Sequence, residues 1–257
     1  MEDWSARQYL KFEDERTRPP RDLLAQVPLE KPRLVVDLGC GPGNSTELLV
    51  ERFPQSEVIG LDSSPDMLRK ARERLPNCKF VQDDIATWTP DPATDLIFGN
   101  AVMQWLPDHA AIMRRLLQAI PAGGVLAIQM PDNTRESALT FQREIGESGP
   151  WRDHPEIKAA PRDDLPSPEA YYDLLKPVCS AIDIWHIVYN HVMASPKAIT
   201  EWFMARRCSR SSRRSTTAPA SNFLPPTRRK SWGPTNHAST EKCCCAFRGC
   251  SSSRCGE

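Results

Sequence analysis

Residues 33–44 read Arg33-Leu34-Val35-Val36-Asp37-Leu38-Gly39-Cys40-Gly41-Pro42-Gly43-Asn44. A short apolar run that stops at three alternating glycines has the pattern of a buried parallel strand entering a tight turn. Glycines at alternate positions let the backbone pass close to a ligand and take dihedrals barred to other residues. A dinucleotide fingerprint is spaced G-x-G-x-x-G, whereas here the spacing is G-x-G-x-G. Asp37 stands two residues before the first glycine. A carboxylate there, among backbone N–H groups, suits the cationic end of a ligand better than a phosphate.

Outward from this turn, strand and helix alternate. A helix is expected over 44–53, a strand over 57–62, and a helix over 65–74 with Ser64 as N-cap and Pro65 at its first position. Strands follow at 78–82 and 94–100. Residues 107–118 form a helix closed by Pro121 and Gly123-Gly124, and 125–130 a fifth strand. This order predicts an α/β fold, a parallel sheet with ligand chemistry at the carboxyl ends of its strands. The second strand ends in Asp62, 19 residues past Gly43. A carboxylate there can accept both hydroxyls of a ribose. Residues 131–180 are rich in Pro and charge, with helical patches at 137–147 and 167–176. They read as an insertion or a lid. A sixth strand is expected over 182–192 and a helix over 196–204.

The glycine motif, Asp62, Asp83-Asp84-Ile85 and Asn100 fall in the order of the class I S-adenosylmethionine-dependent methyltransferases, which this chain resembles. Longer strings narrow the resemblance. They include Gln104-Trp105-Leu106-Pro107-Asp108-His109, Gln129-Met130-Pro131-Asp132-Asn133, Tyr171-Tyr172-Asp173 and Asp183-Ile184-Trp185. These look like the members of that superfamily that methylate a carboxylate of trans-aconitate, and the likeness covers about residues 1–205. The resemblance implies a Rossmann-like sheet with helices on both faces and S-adenosyl-L-methionine as cofactor. It implies cofactor contacts from Asp37, Gly39, Gly41, Gly43, Asp62, Ser63, Met67, Asp84, Ile85, Asn100 and Trp105. The substrate would be a small polycarboxylate, so its pocket should offer Arg, His or Tyr. Candidates are Arg16, Arg18, His109, Arg135, Tyr171, Tyr172 and His191, each of which reads equally well as a surface charge or a packed ring. No catalytic base is needed, because the nucleophile is already ionised, and no metal is implied.

Composition divides the chain near residue 205. Residues 1–205 hold 22 basic and 31 acidic residues, and residues 206–257 hold 11 basic and 2 acidic. Six of the nine cysteines lie in the second part. That part has no apolar period of 2 or 3.6 residues, and its cysteines match no paired C-x₂-C metal set. A basic arm for nucleic acid is one reading of it; a reading-frame slip is the leading one. Codons exist for Lys242–Cys255 that, read one frame over, spell Val-Leu-Leu-Arg-Phe-Pro-Arg-Leu-Phe-Ile-Val-Ala-Val, a well-formed apolar strand. Codons for Arg207–Ala218 give an equally family-like stretch in the same frame. The expected layout is therefore a methyltransferase domain over 1–205, with 131–180 as the lid, and a disordered or out-of-frame tail over 206–257. On this reading the sheet lacks its last strand. No apolar run reaches the ~20 residues that span a bilayer, and the acidic start is no signal peptide. A cytoplasmic monomer is expected, without nucleic-acid or membrane partners.

Overall fold

Leu34–Leu38 (β1) is buried along its whole length and lies in the interior of a seven-stranded sheet. The computed structural model describes residues 13–148, 152–153, 163–195, 198, 202, 238–241 and 245–249. From β1 the sheet grows both ways, through Glu57–Asp62 (β2) and Lys79–Gln82 (β3) on one side, and Thr94–Asn100 (β4) and Val125–Gln129 (β5) on the other. All four of these pairings are parallel. The crossovers carry Asn44–Arg52 (α2), Pro65–Arg74 (α3) and His109–Ala119 (α4). Right-handed crossovers leaving β1 in opposite directions put α2 and α3 on one face and α4 on the other. The sheet order thus reverses between β1 and β4, the place where such folds hold ligands.

Local chemistry explains the helix starts. Ser64 caps α3 by accepting a hydrogen bond from Met67 N at 3.4 Å, with Pro65 at the first position. Helix α2 begins at Asn44, the expected position. Gly43 is its N-cap, at φ +93°, and Asn44, Ser45 and Thr46 turn inward and are buried. Helix α4 starts at His109 rather than Pro107, because Asp108 takes a left-handed φ of +55°. Glu13–Ala25 (α1), Ser137–Ser148 (α5) and Pro168–Leu175 (α6) complete the helices named here.

Two expectations need correction. The run 182–192 is not one strand but two, Cys179–Ile184 (β6) and Tyr189–Val192 (β7). The last-strand position is also filled. Ala238–Glu241 (β8) pairs with β7 in a separate two-stranded sheet, and Cys245–Gly249 (β9) runs antiparallel between β5 and β6. Both corrections share a physical cause. A ladder is made by backbone N–H and C=O groups that nearly every residue carries, so a segment poor in large apolar side chains can still pair. The β6 ladder runs to Ile184, opposite Cys245, and β7 belongs to the other sheet.

Residues 16–188 with 241–257 form one compact unit, and residues 1–15 with 189–240 form another. The first holds the seven-stranded sheet, with a continuous core that includes Val35, Leu38, Leu49, Ile97, Phe98, Leu116 and Leu126. The second holds a small cluster of Met193, Ala198 and Trp202. The expected helix over 196–204 lies outside the described residues except at 198 and 202, as do residues 206–237 of the tail.

Candidate active site

At the carboxyl end of β1, Gly39, Gly41 and Gly43 all take positive φ, at +62°, +56° and +93°. A Cβ at Gly39 would lie 2.2 Å from Val102 Cγ2, so the glycine allows the turn to pass beneath the β4 exit. A Cβ at Gly41 would meet nothing within 4 Å, which leaves an open surface over the cradle. Asp62 ties the cradle together. Its Oδ2 accepts from Gly41 N at 3.0 Å, and its Oδ1 accepts from Ser64 N at 2.8 Å. Cys40 N donates to Leu61 O at 3.0 Å, and Asp83 N donates to Asp62 O at 3.2 Å. The ends of β1, β2 and β3 are therefore joined at one residue. A carboxylate has about four acceptor positions, so a half-buried Asp62 keeps capacity for hydroxyl donors beyond its two backbone bonds.

Asp37 is fully buried, and its partners differ from those expected. The hydroxyls of Ser45 and Thr46, rather than backbone N–H groups, donate to its Oδ2 at 2.7 and 2.6 Å. Its Oδ1 is buried with no hydrogen-bond partner. Burial pushes the carboxyl from the ordinary 3.8 up to about 7, the Thr46 and Ser45 hydroxyls pull it back, and the charge of Asp62 adds to the rise. Cys40, inside the turn, packs against Leu68, Ala71 and Phe80, and burial pushes its thiol up as well.

Beyond β4 the backbone turns sharply. Ala101 holds φ +53°, and its N–H donates to Gln129 O and Oε1 at 2.9 and 3.1 Å. The Oδ1 of Asn100 is buried without a partner. Trp105 closes a short 3₁₀ turn, Met103–Trp105, and is 46% exposed. Ser63 is exposed and Met67 half-buried at the start of α3. On the far side, Asp84 is exposed and its Oδ1 accepts from Ala86 N at 3.0 Å, while Ile85 is buried in the core.

The polar candidates at greater distance fall into separate groups. His109 Nε2 lies 2.6 Å from Tyr171 Oη, joining the start of α4 to α6 across 62 positions of sequence. Tyr171 is buried, whereas its neighbour Tyr172 is 46% exposed. Arg135 is bound to Asp164, Nη2 to Oδ2 at 2.6 Å, and Thr134 donates to the same carboxylate. The Thr134 hydroxyl and the Arg135 guanidinium hold the Asp164 carboxyl below its usual range. Arg16 is half-buried and Arg18 exposed on α1. His191 belongs to the second unit and is buried beside Tyr189 and Trp202, with ring centroids 6.2 and 5.2 Å away.

One feature lay outside sequence reasoning. A shallow, open pocket lies at the carboxyl ends of β5 and β6, lined by residues that include Ile128, Met130, Tyr171, Ile184, Trp185 and His186. His186 Nε2 stands 3.8 Å from Asp132 Oδ2 at this pocket. The only sequence signal for His186 was its place directly after the Asp183-Ile184-Trp185 string.

Comparison with known proteins bears on this geometry. A family model described as a methyltransferase domain matches residues 35–124. The trans-aconitate 2-methyltransferase of Rhodopseudomonas palustris strain BisB5 is 58% identical over 202 residues, 79% of each chain. That of Agrobacterium fabrum is 52% identical over 199 residues, 77% of this chain and 78% of that one. The chain belongs to the trans-aconitate 2-methyltransferase family. Solved structures share the fold of this family member at low identity. The YcgJ protein of Bacillus subtilis aligns with a TM-score of 0.58 at 13% identity, covering 92% of this chain and all of that one. The putative methyltransferase bound to its Trm112 activator in Haloferax volcanii aligns at 0.55 and 16% identity, covering 96% of each. The cradle fits the methyltransferase cofactor. The open face over Gly41 admits a ligand, and the two partnerless oxygens, Asp37 Oδ1 and Asn100 Oδ1, are acceptors that suit an ammonium and hydroxyls.

Proposed function

We propose that this chain transfers a methyl group from S-adenosyl-L-methionine to a carboxylate of trans-aconitate, giving a monomethyl ester and S-adenosylhomocysteine. The observation that carries this reading is the glycine cradle bonded to Asp62, in a chain 58% identical to a trans-aconitate 2-methyltransferase over 79% of its length. S-Adenosylmethionine supplies a methyl carbon on a sulfonium, which becomes a neutral thioether when a carboxylate oxygen takes the methyl. Asp37, Gly39, Gly41 and Gly43 would hold the methionine part. Asp62 would hold the ribose, Ser63, Met67, Asp84 and Ile85 the adenine side, and Asn100 and Trp105 the wall opposite.

The residues on the substrate side orient and shield. A carboxylate is ionised at pH 7, so none of them need act as a base. Their work is to align the oxygen and exclude water. Tyr171, pinned by His109, presents a fixed hydroxyl. Arg135 reaches a substrate carboxylate only by sharing its guanidinium with Asp164. Arg16, Arg18 and Tyr172 complete the proposed cationic and polar set, with residues 131–180 as the lid.

Residues 1–205 form the methyltransferase domain, and 206–257 are read out of frame. Among the described residues no helix is long and apolar enough to cross a membrane. We read the protein as a cytoplasmic monomer, and the excess of acidic over basic residues in 1–205 supports the absence of a nucleic-acid partner. A second reading, a truncated product that keeps only part of the cofactor site, is favoured by the lack of an apolar period in the tail. Incubation with methyl-labelled cofactor and trans-aconitate decides between them. Labelled ester that disappears in Asp62→Ala supports the enzyme. Comparable binding of a nicotinamide dinucleotide, without ester, would sink it.

A further inference from the structure

Behind the Asp84–Trp88 turn stands a side chain that the cofactor reading does not use. Arg115 lies in the second half of α4, whose apolar residues Ile112, Met113, Leu116 and Leu117 are buried and give it a fixed base. Its Nη1 donates to Trp88 O at 2.6 Å. Its Nη2 donates to Ile85 O at 2.9 Å and to Ala86 O at 3.2 Å. The segment it grips is a single helical turn. The N–H groups of Thr87 and Trp88 both donate to Asp84 O, at 3.0 and 2.8 Å, and Asp84 Oδ1 accepts from Ala86 N. Carbonyls at the far end of so short a turn find no partners within it. The guanidinium provides them, with charge-assisted bonds that are stronger than neutral ones. Among the described residues no carboxylate forms an ion pair with Arg115, so its donors are committed to the turn.

We propose that Arg115 is a positioning residue for cofactor binding. It braces the Asp84–Trp88 turn from behind, so that Asp84 and Ile85 stay presented towards the adenine. This rests on the reading of those two residues as adenine contacts. A turn held in its binding conformation before the ligand arrives binds more tightly, because the ordering cost is already met. Only a planar fork spans three carbonyls at once; a lysine ammonium on the same helix reaches fewer of them.

The test compares wild type, Arg115→Ala and Arg115→Lys by calorimetric titration with S-adenosylhomocysteine and with 5′-methylthioadenosine. Amide hydrogen exchange over 84–88 and thermal melts accompany it. Arg115→Ala is expected to weaken both ligands by the same factor, roughly tenfold, the size of a lost charge-assisted hydrogen bond. Exchange over 84–88 should quicken, and Arg115→Lys should fall between the two. At saturating cofactor, kcat and the KM for the carboxylate substrate should stay within about twofold of wild type. A lower melting temperature with unchanged affinity for both ligands overturns the role and leaves Arg115 a structural tie. Should Arg115→Ala fail to fold, Arg115→Lys decides: affinity equal to wild type overturns the proposal, and weakened affinity supports it. Wild-type protein that binds neither ligand would remove the cofactor reading and this inference together, an outcome distinct from the loss of Arg115 alone.

Discussion

Asp37 shows how far a single carboxylate can depart from what its neighbours in sequence imply. The acid two residues before the glycines was legible, but its depth and its Ser45 and Thr46 partners were not, because they depend on how α2 starts. Its carboxyl titrates near 7 in the folded protein, so folding binds a proton that the unfolded chain has lost. Both states are protonated well below pH 4. As pH rises from about 4 to about 7 stability therefore falls, and it levels off above that. Asp37→Asn should flatten this decline, read as melting temperature between pH 5 and 8; an unchanged slope would contradict it. A cationic ligand end near Asp37 favours the carboxylate, so cofactor binding at pH 6 should release a proton. Calorimetry in buffers of different ionisation enthalpy measures that release. Asp62→Ala should raise the cofactor dissociation constant by roughly tenfold or more, through the lost charge-assisted bonds. An unchanged constant would take Asp62 out of the site. Gly39→Ala meets both a positive φ and Val102, and should cost about 2 kcal/mol or more in a urea melt.

Helix α6 and strand β9 are the elements whose partners decide what they do. Tyr171 and His109 were both visible as candidates, yet nothing in either segment says that they meet. Their bond pins the proposed lid to the start of α4. Tyr171→Phe should leave cofactor affinity unchanged while lowering kcat/KM for trans-aconitate by roughly tenfold, as removal of one fixed donor does. Full activity in this variant would leave the pair a packing contact. Strand β9 pairs on both sides, so a proline in its middle removes a ladder bond and strains the backbone. Ala246→Pro should destabilise by about 3 kcal/mol, or roughly 6–12 °C in melting temperature. A melt identical to wild type would mean that Cys245–Gly249 does not carry the sheet edge.

The whole protein raises the question of its tail. The slot between β5 and β6 is occupied by Cys245–Gly249, in place of the large apolar residues that the shifted frame spells. Each such residue left unburied forgoes about 1.5–3 kcal/mol, set against the roughly 5–15 kcal/mol that holds a domain together. The frame-restored protein is therefore expected to melt higher and to turn over faster than the chain with its present tail. Side-by-side melts and methyl-transfer rates measure the difference, and equal values for the two proteins would refute the frame-slip reading.

Local rules were enough for most of the sheet. The strands 57–62 and 94–100 and the helix 65–74 have the bounds read from their apolar runs, caps and prolines. The glycine turn and Asp62 were legible for the same reason, since an alternating glycine motif after a buried strand needs only neighbours in sequence. What could not be read is non-local. The filling of the last-strand slot, the Tyr171–His109 pair and the grip of Arg115 on the 85–88 carbonyls all join segments far apart in the chain. Backbone ladders accept almost any residue, and an arginine on a helix reads as a solvated charge until a carbonyl faces it. Side chains and periodicity record which face of an element is buried, but the partner that buries it is set by packing.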